Sequence, residues 1–270
     1  LFFIKKICYK KTAIIIFTNV HMKKLTILFT TILLISACSQ NTDEEASINQ
    51  QPLVEYTWMK AGPNFTAENL ANLIDMWNGM LDDMGCSLNG ANILTPEVAN
   101  EGYDFIWVHL WTSQTARDNC WNDWTGSSYQ SDWDEAINGI MSYDLENVYL
   151  FKPKVGSTPR KENTSGSFVN TFYFCNFNEG YSEPDLMNYQ KDLLSSQQFS
   201  DYWWHTLLEP MFEAENQSDF VWLDLWGSSE DKTEDLKIFQ ATDFPERVTE
   251  MFSCNPDADG ISFNGTVIRS

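Results

Sequence analysis

The sequence has few basic residues and lacks the short motifs that mark common catalytic and nucleotide-binding sites. Its 270 residues include 17 Lys and Arg against 38 Asp and Glu, a formal net charge of −21. So acidic a chain repels phosphate backbones, which argues against nucleic acid as a partner. No P-loop, GxSxG or HExxH motif occurs, and nothing in the sequence predicts a cofactor.

The N-terminal part has no apolar run long enough to cross a membrane. The run Leu25–Ile35 is shorter than the roughly 20 residues that a transmembrane helix needs. It follows a basic start at Met22 and precedes two small residues and Cys38. These are the parts of a secretory signal, so we predict that residues 22–37 are a signal peptide removed on export.

The four residues before and at the predicted cleavage point, Ile35-Ser36-Ala37-Cys38, resemble the lipobox of bacterial lipoprotein precursors. The resemblance implies diacylglycerol on the Cys38 sulfur and membrane attachment through that lipid. Ser39 is similar to sorting signals for the outer membrane, so we expect an anchor in the bacterial cell envelope there. Residues 38–52 are polar and predict a flexible tether. Residues 1–21 fit an over-extended reading frame better than a tandem targeting segment.

The chain after cleavage is still more acidic and is rich in aromatic residues. Removing six lysines leaves 11 basic residues against 38 acidic ones, a net charge of −27. All 11 Trp follow Cys38. Such aromatic surface is enough for a large core and excludes a disordered chain.

Segments of the sequence recur about 115 residues apart. The matching segments are 104–113 with 219–228, 65–70 with 181–186, and 94–96 with 208–210. The first pair shares Asp, Phe, Trp, Leu, Trp and Ser at identical spacing. We therefore interpret residues 53–153 and 168–270 as two copies of one unit. The linker between them, residues 154–167, is rich in Gly, Ser, Thr, Pro and charge.

Each copy predicts the order strand, helix, strand, strand, helix, strand. The first helix is capped by Thr66 or Ser182, and the second begins near Ser131 or Pro245. This βαββαβ order is that of the ferredoxin-like unit. Two such units in one chain resemble the tandem form of the dimeric α/β-barrel superfamily, which includes antibiotic-biosynthesis monooxygenases, EthD-like proteins and Dabb proteins. The resemblance implies an α+β fold of two tandem ferredoxin-like repeats forming an intrachain barrel with ligands inside.

Four cysteines remain beyond Cys38, and an even number in an oxidising compartment predicts two disulfides. Three pairings are open to four cysteines. In the ferredoxin-like order, Cys86 and Cys120 lie at the same end of the first unit. In the second unit, Cys175 ends strand one and Cys254 precedes strand four, which is antiparallel beside strand one, so these two also meet. We therefore predict one disulfide per copy; the rival interpretation, a metal site, has no CxxC pair or nearby His to support it.

The third strand of each copy alternates in character. We expect its aliphatic face to pack under the helices and its tryptophan face to line the barrel interior. The predicted ligand-binding residues are Trp107, Trp111, Trp222 and Trp226. His109 and Asp224 occupy equivalent positions, so the sequence predicts that they meet as a catalytic acid–base pair. The alternative is a buried polar pair with no chemical role.

Two further features are candidate cofactor or metal sites. His205 could ligate haem, as in haem-binding relatives of the superfamily, although a lone His beside aromatics more often packs. Residues 255–260 resemble the first half of a calcium loop, but Thr266 stands where the bidentate Glu is needed. We therefore expect His205 to pack in the core and residues 255–260 to form a turn, and we predict no metal site.

The sequence leaves several functions open. The leading hypothesis is a lipoprotein that binds a small, partly aromatic molecule in a tryptophan-lined barrel cavity. It could instead be a cofactor-independent monooxygenase or EthD-like enzyme, or a non-catalytic structural lipoprotein. A carbohydrate-binding surface would need exposed indoles, for which the candidates are Trp121, Trp124, Trp203 and Trp204. Buried Trp around a void favours the first hypothesis, and an exposed row favours the last.

Overall fold

The computed structural model describes residues 50–154, 156–196, 198–213, 217–255 and 260–270. The described residues form an α+β fold with nine strands and six helices. The strands are β1 Leu53–Ala61, β2 Leu88–Pro96, β3 Phe105–Trp111, β4 Met141–Pro153, β5 Ser167–Phe177, β6 Trp204–Pro210, β7 Phe220–Trp226, β8 Phe252–Asn255 and β9 Ile261–Arg269. The helices are α1 Ala67–Met84, α2 Gln114–Thr125, α3 Tyr129–Ile137, α4 Glu183–Ser195, α5 Ser229–Gln240 and α6 Phe244–Met251.

Eight of the strands close into a barrel. Their order around it is β7-β6-β4-β1-β3-β2-β9-β5, and β5 pairs with β7 to complete the ring. The short β8 pairs with the end of β5 beyond β9. All neighbouring strands are antiparallel. Closure leaves no free edge on these eight strands, which protects the sheet from pairing with other chains.

The two halves of the barrel, β1–β4 and β5–β9, have matching strand orders. The first half runs β4-β1-β3-β2 and the second β9-β5-β7-β6. They join where β2 pairs with β9 and β4 pairs with β6. Each half covers the outer face of its sheet with its own three helices, so each has a separate core between sheet and helices.

Helix α1 illustrates how local sequence sets the elements. The Thr66 side chain accepts a hydrogen bond from the Asn69 backbone N–H at 3.1 Å, and Gly85 ends the helix with φ 67°. Leu73, Trp77 and Leu81 lie on one buried face. In the second half, Ser182 and Asp185 form a capping box at the start of α4. Both predicted caps are confirmed.

Each half has one helix more than the sequence pattern predicted. The predicted second helices correspond to α3 and α6, whereas α2 and α5 were not predicted. The reason is that α2 and α5 have little apolar periodicity: α2 buries only Cys120 and Trp124, and α5 buries only Asp235. The N-cap side chains of these two helices, Ser113 and Ser228, accept hydrogen bonds from the backbone N–H three residues further on. A serine before each segment was therefore the sequence signal that could have predicted these helices.

The predicted orientation of the third strands is wrong. The interior cluster draws on strands of both halves and includes Ile106, Val108, Val221, Leu223 and Leu225. The indoles of Trp107 and Trp111 pack under the first three helices instead, and Trp222 packs in the core of the second half. Two tryptophans of other strands, Trp58 and Trp204, pack against the interior cluster.

The two predicted disulfides are present. Cys86 follows α1 and is bonded to Cys120 on α2, with Cα atoms 5.2 Å apart. Cys175 on β5 is bonded to Cys254 directly across from it on β8. Each disulfide lies within one half, as predicted. Within the residues described, every helix is too short or too polar to span a bilayer.

Candidate functional site

A cavity of about 590 Å³ lies in the first half, between the outer face of the sheet and helices α2 and α3. We call it the indole cavity, because five tryptophans line it. They are Trp77, Trp107, Trp121, Trp124 and Trp133. Four of the five are buried and Trp121 is half-buried. The volume is in the range of about 300–1,000 Å³ that small-molecule sites usually have.

One wall of the indole cavity carries a buried carboxylate. Glu55 on β1 is only 3% exposed, although its neighbours in the strand are mostly apolar. Arg117 on α2 donates from Nε to Glu55 Oε2 in a close ion pair, and the Trp121 indole N–H donates to the same oxygen at 3.2 Å. A buried carboxylate needs such partners to offset its lost hydration. The Ser113 cap sets Arg117 in the first turn of α2, opposite Glu55.

His109 lies beside this carboxylate. It faces Glu55 in the register of β1 and β3, and its Nδ1 is 3.7 Å from Glu55 Oε1. Its ring is surrounded by Trp77, Trp111 and Trp121, with centroids 5.3–5.8 Å away. Burial lowers the pKa of His109, Glu55 opposes that shift, and the Arg117 charge adds to it. The imidazole is therefore neutral at pH 7.

Two polar atoms bordering the indole cavity have no hydrogen-bond partner among the described residues. They are His109 Nδ1 and Trp107 Nε1, on side chains of residues 5% and 2% exposed. Buried polar groups in folded proteins are nearly always paired, by protein, water or ligand. An unpaired donor and an unpaired imidazole nitrogen beside one cavity therefore indicate a place for a polar group of a bound molecule.

The corresponding position of the second half is arranged differently. Asp224, the counterpart of His109, accepts a hydrogen bond from Trp203 Nε1 at 3.0 Å and faces His205 in the register of β6 and β7. Burial raises the pKa of Asp224 to about 7, against hydrogen bonds from indoles that lower it. Asp224 borders neither the indole cavity nor the barrel interior. The predicted meeting of His109 with Asp224 is therefore wrong, because both side chains point outward, each into its own half.

His205 does not fit a haem ligand. Its Nδ1 is 3.1 Å from Ser157 Oγ and its Nε2 is 2.9 Å from the Gln190 amide nitrogen. Its ring is stacked on Trp222 with centroids 4.3 Å apart and on Trp203 at 5.3 Å. It has no exposed surface, and burial lowers its pKa to about 4. Axial ligation needs a free imidazole nitrogen, which His205 lacks.

The other candidate residues have varied positions. Trp107 lines the indole cavity, Trp111 and Trp226 border a second cavity in the barrel interior, and Trp222 borders neither. Residues 256–259 of the calcium-like loop lie outside the described residues, as does Cys38. Elsewhere in the described chain no three His, Cys, Asp or Glu side chains group as a metal site would require.

None of the 11 tryptophans is exposed, so the row of surface indoles that carbohydrate binding would need does not exist. Trp124 is buried, and Trp121, Trp203 and Trp204 are half-buried. Glu55 and Arg117 were not among the predicted site residues. The signal for Glu55 was available: it is a single acidic residue in the apolar stretch Val54–Met59.

No family model and no curated protein matches the sequence. Solved structures do resemble the fold. A chlorite dismutase from Candidatus Nitrospira defluvii in complex with imidazole has a TM-score of 0.50 and 6% identity, covering 84% of this chain and 96% of that one. The chain therefore has a chlorite dismutase-like α+β barrel fold.

Two further structures score slightly lower. A provisionally assigned monooxygenase from Lactobacillus acidophilus NCFM has a TM-score of 0.49 and 13% identity, over 81% of this chain and 94% of that one. A novel heme-binding protein from Thermus thermophilus has a TM-score of 0.48 and 9% identity, over 80% and 91%. At such identities the likeness concerns the fold alone.

Proposed function

We propose that the protein binds a small, partly aromatic molecule in the indole cavity. The observation that carries this proposal is a 590 Å³ cavity, open to solvent on one side and lined by five tryptophans beside the unpaired Trp107 N–H and His109 Nδ1. A purely structural role predicts indoles packed against one another without such a cavity. Concave, mainly apolar cavities of this size with a few polar groups are where proteins usually bind small molecules.

The lining indicates the chemistry of the ligand. Indole faces and edges favour a flat ring, which gains about 0.5–1.5 kcal/mol per aromatic pair beyond its buried area. Arg117 pairs with both acidic residues of the lining, Glu55 and Asp118, so the lining offers no free positive charge for an anionic ligand. Trp107 Nε1 can only donate, and therefore suits an acceptor such as a carbonyl or phenolic oxygen. The neutral imidazole of His109 can pair with a second polar group.

A cofactor-independent monooxygenase or EthD-like enzyme is the second candidate, favoured by His109 beside Glu55 in an apolar pocket. As a base, His109 would take the proton from a ligand O–H to form an N–H bond and leave a phenolate. A phenol has a pKa of about 10, whereas burial holds the pKa of His109 below 6.5. That transfer is uphill by several kcal/mol, so we place His109 first as a hydrogen-bonding group.

The test is a titration with 2-naphthol followed by tryptophan fluorescence. Trp107→Phe removes the N–H donor but keeps most of the ring, and should weaken binding about tenfold. Trp222→Phe changes the counterpart residue of the second half and should leave the affinity unchanged. Native mass spectrometry of the purified mature protein looks in parallel for a ligand that co-purifies. Equal affinities for the two variants would refute the assignment to this cavity.

The location of the site follows from the N-terminal signal in this proposal. Ile35-Ser36-Ala37-Cys38 supports a lipoprotein anchored in the envelope, with the folded part held outside the cytoplasm by lipid on Cys38. Two disulfides suit such an oxidising compartment. Intact-mass measurement should find diacylglycerol on the wild-type chain and none on Cys38→Ser; an unlipidated wild-type chain would exclude the anchor.

The fold itself we interpret as two tandem copies of one ferredoxin-like unit. Supporting this are the recurring sequence segments, the order of elements, which is equal apart from β8, and the matching strand orders of the two halves. On this interpretation the site arose in one copy only, since Glu55 corresponds to Thr171 and His109 to Asp224.

A further inference from the structure

We propose a second binding site inside the barrel, for an uncharged and mainly aliphatic molecule that carries a hydroxyl or another hydrogen-bond donor. A cavity of about 430 Å³ extends from the barrel interior to its rim. We call it the barrel cavity. It is separate from the indole cavity, with which it shares no lining residue.

Strand β1 divides the two cavities. Its side chains alternate, so that Val54 and Tyr56 line the barrel cavity while Glu55, Thr57 and Met59 line the indole cavity. The polar group of Glu55 therefore faces away from the barrel interior. A molecule in one cavity cannot contact the side chains that line the other.

The lining of the barrel cavity selects against charge. Its inner wall is aliphatic, formed by Val54, Leu94, Val108, Leu110, Leu208, Leu223 and Leu225. None of the residues that line it is Asp, Glu, Lys, Arg or His. Burial raises the pKa of the Tyr56 phenol, so that group stays a neutral hydroxyl. An ion entering this space would lose its hydration without gaining a counter-charge, which costs several kcal/mol.

Three residues that line the cavity carry a buried polar atom without a hydrogen-bond partner among the described residues: Trp111, Asn170 and Trp226. The two tryptophans occupy outward-facing positions of their strands, so Asn170 is the one that marks where the ligand would be held in the interior. Asn170 lies on β5 between Phe168 and Phe172, both of which belong to or pack on the interior cluster. Asn170 is 2% exposed and lines the cavity, and its Oδ1 has no hydrogen-bond partner among the described residues. A buried amide oxygen without a donor is costly. A ligand hydroxyl or N–H would satisfy it, while the aliphatic wall would cover the rest of the molecule.

The experiment compares three eight-carbon probes by calorimetry on the mature protein at pH 8. These are 1-octanol, octanoate and octylammonium, which share a chain and differ in charge. We expect 1-octanol to bind and both ions to bind at least tenfold more weakly. Methyl NMR of the wild type should show shifts at Val108, Leu223 and Leu225, so the location is read without any variant. Equal binding of octanoate, or shifts confined to other methyls, would overturn the proposal.

A pair of variants tests the role of Asn170. Asn170→Leu replaces the amide by an aliphatic group of similar size and should weaken 1-octanol binding about fivefold. The matched control is Asn89→Leu, at the exposed rim of the same cavity, where we expect no change. Trp107→Phe should also leave 1-octanol binding unchanged, which separates this site from the indole cavity. An unchanged affinity in Asn170→Leu, or a loss in Trp107→Phe, would contradict the assignment.

Discussion

The two halves of the barrel have the same order of elements, apart from the short β8 of the second half, but different interiors under their helices. In the first half, Ala91 faces His109 in the register of β2 and β3, and the indoles beyond them surround a cavity. In the second half the facing pair is His205 and Asp224, and the His205 ring is stacked on Trp222 and Trp203. His205 stands where the first half has Ala91, and its larger side chain fills space beside the third strand of the second half. One framework therefore surrounds a cavity in one half and a packed core in the other.

Both halves bury a carboxyl group, but with different partners. In the second half, Asp235 is 3% exposed and accepts a hydrogen bond from the Ser200 backbone N–H at 2.7 Å. The first half buries a carboxylate with a guanidinium partner, Glu55 with Arg117, at the edge of a cavity. The counterpart cation of the second half, Lys232, is also four residues after a serine N-cap. It pairs with the half-exposed Glu97 and donates to Ser262 Oγ at 2.8 Å. A buried ion pair contributes little stability by itself, so its presence beside a cavity suggests a function there.

The largest effect we expect comes from the disulfides, one in each half. Opening Cys86–Cys120 or Cys175–Cys254 by a double Cys→Ala change should lower the free energy of unfolding by about 4 kcal/mol. The second disulfide closes a loop of 79 residues against 34, so its loss should cost about 0.7 kcal/mol more if chain entropy dominates. Urea unfolding of the two variants measures this. A larger loss for the first disulfide would show that native packing sets the cost.

The next effect concerns the buried ion pair. Arg117→Met keeps the apolar stem of the side chain but leaves the Glu55 carboxylate without its cation, which should destabilise the protein by about 3 kcal/mol. Lys232→Met removes the counterpart cation from a more exposed pair and should cost less than about 1 kcal/mol. Thermal unfolding at low salt checks both. If the two variants lost equal stability, the Glu55–Arg117 pair would be no more buried in its effect than the Lys232–Glu97 pair, and the proposed difference between the halves would be wrong.

Much of the fold could be predicted from the sequence, whereas the side on which the site lies could not. The alternation of β3 separates Trp107 and His109 from Ile106 and Val108, and it gives both faces correctly. It cannot tell which face turns inward, because both faces are apolar and both are covered. That choice depends on the closure of the barrel, which is a property of all eight strands.

The disulfides and the polar partners show the same contrast. Cys86 and Cys120 could be paired from the sequence because the order of elements places both residues at the same end of the first unit. The partner of His109 could not be found by symmetry, since it is Glu55 on the adjacent strand and not Asp224 of the other half. Strand neighbours depend on register, which the repeat does not fix. The helix α2, which supplies Arg117, lacks the apolar periodicity by which helices are recognised.

The effect that most directly separates the halves is the pH dependence caused by Asp224. Burial raises the pKa of this carboxyl to about 7 in the folded protein, against 3.8 when unperturbed. Between pH 4 and 7 the folded state holds a proton that the unfolded state releases. The contribution of Asp224 to the free energy of unfolding should therefore fall as pH rises through that range, by at most about 1.4 kcal/mol per pH unit, and change little above pH 7 or below pH 4.

Asp224→Asn keeps an acceptor for the Trp203 N–H but removes the titration. Relative to the wild type, the variant should be stabilised at pH 8 and gain less as the pH is lowered, until the two curves converge near pH 4. Asp75→Asn, on the exposed face of α1, is the matched control and should run parallel to the wild type. Denaturant unfolding at several pH values gives the difference directly. A constant offset between Asp224→Asn and the wild type would mean that Asp224 is ionised throughout, and the second half would then hold a buried charge as the first half does.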